Sequence, residues 1–119
     1  MTVPESRVVS AGPSPSGTAA LEVVPLGDRA GVRVVGEIGL STGTVWQRQL
    51  DHLVGQGEDV RLELSGVEFV DVAGVSALAR AAQRLDAGRR MVLVRPPTTL
   101  LRTLEMFWPG LAAIEVTTC

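Results

Sequence analysis

The sequence predicts an α/β domain in which a mixed, mostly parallel sheet of about five strands carries helices on one face. Three observations predict it. Segments with apolar residues at every second position trade places with segments whose apolar residues recur every three or four, in the order strand, strand, helix, strand, helix, strand, helix, strand. Every helix lying between two strands implies a crossover, so the later strands should run parallel. Glu22, Arg33, Arg61 and Glu63 stand at alternate strand positions, which leaves only one sheet face apolar.

Residues 1–19 hold Pro4, Gly12, Pro13, Pro15 and Gly17 among serines and threonines, a composition that cannot repay its ordering entropy and is expected as a disordered tail. The folded domain is expected over residues 20–119. Leu21 and Val23 alternate with Glu22. A turn at Gly27–Gly31 then leads to Val32, Val34 and Ile38 alternating with Arg33 and Glu37, which makes a hairpin. Ser41 or Thr42 can cap a helix with Trp46, Leu50, Leu53 and Val54 on one stripe, closed by Gly55 and Gly57. Val60, Leu62 and Leu64 form a strand whose other face, with Arg61 and Glu63, is wet. After a turn at Asp71, a second helix carries Val75, Leu78, Ala82 and Leu85 on its apolar stripe and ends at Gly88. Arg90–Val94 is a strand stopped by Pro96-Pro97. Thr98 or Thr99 opens a short helix with Leu100, Leu101, Leu104 and Phe107, and Ala113–Val116 is the last strand.

With 119 residues and 45% hydrophobic content the chain makes one domain with one core. A net charge of −2 provides no basic field for nucleic acid. Every cation is an arginine, which removes a P-loop lysine and a Schiff-base lysine from consideration. Cys119 is the single cysteine and is read as a frayed terminal thiol; a reducing compartment fits it. No apolar run approaches the ~18 residues of a membrane span, so a soluble, cytoplasmic chain is the expectation. His52 stands alone as a histidine, which rules out a His pair and an ordinary zinc set. Neither a metal nor another cofactor is expected. Glu63, Glu68 and Asp71 lack a partner base and are read as a solvated edge, and Trp46 and Trp108 as core or helix-end residues.

The run Ser65-Gly66-Val67-Glu68-Phe69-Val70-Asp71-Val72-Ala73-Gly74-Val75 takes an alternating strand through a short turn into an amphipathic helix whose amino end attracts negative charge. Together with Gly36-Glu37-Ile38-Gly39-Leu40-Ser41-Thr42, it resembles the STAS domain family (sulfate transporter and anti-sigma factor antagonist), as does the order of elements from Leu21 to Val116. In that family the strand ends in Asp-Ser-Ser-Gly, and a partner kinase phosphorylates the second serine. Ala73 occupies that position, and Gly39 stands where relatives carry an acidic residue. Phosphorylation adds about −1.5 to −2 charges and disfavours the kinase complex by repulsion and desolvation; without a hydroxyl at Ala73, that switch is absent at this position.

The resemblance implies a non-enzymatic binding module, an anti-sigma factor antagonist that docks onto an anti-sigma factor serine kinase of ATPase-type fold and regulates sigma factor release. Its expected partner-binding residues are Gly39, Ser41, Thr42, Asp71, Val72, Ala73, Gly74, Ser76, Ala77 and Arg80, with Ala73, Ser76, Ala77 and Arg80 forming a strip of small residues bounded by charge. Asp71 can cap the N–H of Ala73 or Gly74, contact a partner, or do both. Gly74 permits close approach of another backbone or eases the turn, and Ser76 is an ordinary helical serine or a substitute phosphosite. The alternative function is a scaffold subunit of an ABC transporter or of a stress-sensing complex, and the expected oligomeric state is monomer or weak dimer.

Overall fold

A computed structural model describes residues 7–10, 20–27 and 31–118. Among these described residues six strands form one sheet in chain order: β1 (Arg7–Ser10), β2 (Ala20–Pro25), β3 (Gly31–Ile38), β4 (Val60–Val70), β5 (Met91–Val94) and β6 (Ile114–Thr117). The pairs β1–β2 and β2–β3 are antiparallel, whereas β3–β4, β4–β5 and β5–β6 are parallel. The expected hairpin is thus the β2–β3 pair, and the sheet gains one strand over expectation. That strand is β1, within the segment expected as a tail. Backbone pairing with β2 satisfies it without any demand on the local composition; the rest of that segment, part of the hairpin turn and Cys119 lie outside the described residues.

Helices α1 (Gly43–Gly55), α2 (Val72–Gln83) and α3 (Thr98–Phe107) connect the successive parallel strands. Because strand order increases monotonically from β3 to β6, right-handed crossovers must set every helix on the same face. The core agrees with this: Leu21, Val23, Val32, Val34, Val60, Leu62, Leu64, Met91 and Leu93 from alternate strand positions join Trp46, Leu50, Leu53, Val75, Leu78, Leu100 and Leu104 from the helices in one cluster.

Two sequence expectations are corrected in detail. Phe107, placed on the apolar stripe of α3, is exposed and packs edge-on against Trp108, with ring centroids 5.8 Å apart. Phe107 shares the angular position of Leu100 and Leu104 but is the last residue of the helix, beyond the last buried position, Leu104. Glu63, read as part of a solvated edge, is only 7% exposed. Its carboxylate accepts from the Ser65 hydroxyl at 2.8 Å and from Arg95 Nη2 at 2.7 Å, with Arg33 Nε at 3.5 Å. Long arginine side chains from neighbouring segments thus roof the helix-free face above Glu63.

Strand β4 is irregular in a way that matters for the site. Its partners on β3 skip register between Arg33 and Val35 and again between Gly36 and Glu37. Each bulge shifts the alternation of side chains. Leu62 faces the core before the first bulge and Leu64 within it, Val67 is buried between the two bulges, and Phe69 emerges exposed after the second. Val35 closes over Gly66, where a Cβ would come within 2.8 Å of a Val35 methyl.

Candidate functional site

The carboxyl ends of β3 and β4 lie side by side and launch α1 and α2. The N–H of Asp71 donates to the Ile38 carbonyl at 3.0 Å, tying the two strand ends together beyond their last paired residues. After Ile38 the chain makes a short 3-10 turn, Leu40–Thr42, before α1. Thr42 occupies the N-cap position of α1, but its hydroxyl turns backward. It accepts from the Gly39 N–H at 2.9 Å and donates to the Glu37 carbonyl at 2.8 Å, so the cap expected from Ser41 or Thr42 serves the loop rather than the helix.

Asp71 is the N-cap of α2. Its Oδ1 accepts from the Gly74 N–H at 2.8 Å, one of the two capping partners the sequence allowed. Gly74 is glycine because of what lies beneath it. A Cβ there would stand 2.6 Å from an Ile38 methyl and 3.1 Å from a Val70 methyl. The close approach is therefore internal, between the first turn of α2 and the two strand ends. The Gly74 carbonyl also accepts from the Trp46 indole N–H at 3.0 Å, which couples α1 to α2 across the core.

Nine of the ten sequence-predicted residues lie on the Gly39–Thr42 turn or the first two turns of α2 with its cap, whereas Arg80 lies in the last turn of α2; their exposure is unequal. Ser41, Val72, Ala73 and Arg80 are exposed, while Gly39, Asp71, Ser76 and Ala77 are half-buried. Thr42 and Gly74 are buried, so their part in the site is to hold the loop and the helix start in place.

Two residues absent from the sequence-based set complete the surface. Leu40 is 92% exposed at the tip of the 3-10 turn, and the exposed Phe69 ring lies against Gly39, where a Cβ would stand 3.2 Å from it. A leucine next to Gly39 in a loop was the available signal for the first. The bulges of β4 hid the second. With Val72 they add exposed apolar side chains to the turn that carries Ala73, where the Phe69 ring and the Asp71 carboxylate both approach Gly39.

Ala73 has no hydroxyl, so no phosphoester can form there, and the surface suits noncovalent contact through small and apolar groups. Among the described residues, no three His, Cys, Asp or Glu side chains are grouped as a metal ion would require, and no helix is long and apolar enough to cross a membrane.

Comparison with known proteins bears on the same region. The chain is similar in structure to the anti-sigma factor antagonist SpoIIAA in its unphosphorylated form, with a TM-score of 0.58 and 20% sequence identity, over 81% of this chain and 87% of that one. That likeness is one of fold. No curated protein matches the sequence. The family model described as "Mlab, STAS domain" matches residues 6–108, which takes in β1, both strand ends, the Ala73 turn and all three helices. By that match, carried over most of its length, the chain belongs to the STAS domain family.

Proposed function

We propose that this STAS domain is a non-enzymatic docking module of the anti-sigma factor antagonist kind, which engages a kinase-type anti-sigma factor through the surface around Ala73 and so regulates release of a sigma factor. One observation carries the reading: at the amino end of α2, where the family pattern puts its phosphoacceptor, an exposed methyl follows exposed Val72, and Leu40 and Phe69 are exposed at the adjoining ends of β3 and β4. Small side chains let a partner come close, and apolar ones reward the removal of water. The complex has no phosphate-controlled release at residue 73.

Titration of the chain against the anti-sigma kinases of its host, by calorimetry, tests this. Ala73→Asp is expected to weaken binding at least tenfold, because a charge at this spot must be desolvated on docking. Ala73→Ser is expected to bind as the wild type does and to become a substrate for a cognate kinase. Wild-type affinity in the Asp variant, with the fold intact by circular dichroism, would place the interface elsewhere.

A second reading, a scaffold subunit of an ABC transporter or of a stress-sensing assembly, is favoured by the same Ala73, because permanent association needs no phosphoacceptor. Gel filtration of native extracts separates the two. A stable ATPase complex or a very large particle supports scaffolding, and a small heterodimer supports partner switching.

A further inference from the structure

Exposed large apolar side chains fall into two groups. Leu40, Phe69 and Val72 belong to the Ala73 surface; Met106, Phe107 and Val116 lie at the end of α3 and on β6, beyond it. Between α3 and β6 runs a groove of about 280 Å³, lined mainly by apolar side chains, among them Leu101, Leu104, Trp108, Ile114 and Val116, with Glu105 on its wall. Among the described residues β6 is the last strand of the sheet and pairs with β5 alone.

The register shows what such an edge can accept. Ile114 and Val116 stand opposite Met91 and Leu93, which face the helices, so both project into the groove. The N–H groups of Met91 and Arg95 donate to the carbonyls of Ala113 and Thr117, each at 2.8 Å. Alternation along the ladder then turns the N–H and C=O of Val116 toward the free edge.

We propose that this edge and groove form a twofold interface with a second copy of the chain, in which the two β6 strands pair antiparallel about Val116. Val116 of each copy then exchanges an N–H···O=C bond with Val116 of the other, and the two grooves merge beneath them. Charge favours a second copy as the occupant. Glu115, the one charge on β6, is balanced by Arg90 at 3.8 Å and in this register faces the neutral Thr117 of the other copy. On α3 the exposed Arg102 and Glu105 have the order a twofold needs, Arg102 of one copy toward Glu105 of the other. The Ala73 surfaces, built on β3 and β4, stay free, so the dimer would present two docking sites at once.

Sedimentation equilibrium of the full chain, over about 10 µM to 1 mM where a small interface associates, is the test. The mass is expected to rise with concentration from 12.5 kDa toward twice that value. Val116→Pro removes only the outward N–H, which an edge strand tolerates, and Val116→Asp sets two carboxylates face to face across the twofold. Both variants should keep the wild-type circular dichroism spectrum and lose association at least tenfold. A wild-type chain that stays at 12.5 kDa throughout overturns the proposal, whether or not the groove then takes up a partner's strand or phosphatidylglycerol vesicles. So does a dimer that survives in whichever Val116 variant folds, or one that is dissolved by Leu40→Asp instead.

Discussion

Glu63 shows how far a single side chain can depart from its place in a pattern. Burial raises its pKa, but the Ser65 hydroxyl, Arg95 and Arg33 outweigh burial and hold the carboxyl below the ordinary carboxylate value. A folded-state pKa below the unfolded one, about 4.3, contributes stability that is present above that pH and is lost as pH falls through the folded value. The wild type is therefore expected to weaken as pH drops below about 4.3, and Glu63→Gln to be less stable at pH 7 but flatter across that acid range. Urea midpoints measured on both proteins across the acid range check this; parallel curves would show that Glu63 does not carry the acid dependence. Gly74 carries the same lesson in the other direction. Neither it nor Gly39 has a positive φ; Gly74 is glycine because methyls of Ile38 and Val70 fill the space a Cβ needs, whereas at Gly39 the exposed Phe69 ring would have to give way by only a few tenths of an ångström.

At the scale of elements, the helices were legible and their ends less so. The stripes Trp46–Leu50–Leu53 and Val75–Leu78–Ala82 face the core as their spacing required. What spacing does not encode is how α1 and α2 are locked together: the Trp46 indole bonds the Gly74 carbonyl, and Arg84 Nη2 reaches Asp51 Oδ1 at 2.6 Å on the surface. The buried link should matter more, since an exposed ion pair is screened. Trp46→Phe is expected to cost about 1–3 kcal/mol, from one lost hydrogen bond and the volume of half an indole. Urea unfolding followed by far-ultraviolet circular dichroism measures it, and an unchanged midpoint would mean that the link carries no stability.

For the whole molecule, the order of elements from Leu21 onward predicted parallel pairing and one covered face, because crossovers have a handedness and strands a period of two. The first strand escaped that logic. Arg7–Ser10 is held by edge pairing with β2, while the described core begins at Leu21. Removing residues 1–10 is therefore expected to leave one cooperative unfolding transition and most of the helical signal at 222 nm, at a lower urea midpoint. Loss of cooperativity would make β1 part of the folding unit. The candidate surface was likewise half legible. Asp71, Ala73 and Gly74 stand in a motif, whereas Leu40 and Phe69 joined them only once the 3-10 turn and the bulges of β4 were in place.

Taken alone, the sequence determined the α/β class, the alternation that buries one sheet face, the capping aspartate and the missing hydroxyl at residue 73, because each depends on local covalent chemistry or on a fixed period. Tertiary structure alone decided which face Phe69 takes, why Glu63 is buried, and that, among the described residues, β6 ends the sheet beside a mainly apolar groove. Those outcomes depend on register shifts and on contacts between segments far apart in the chain, to which no local pattern is sensitive.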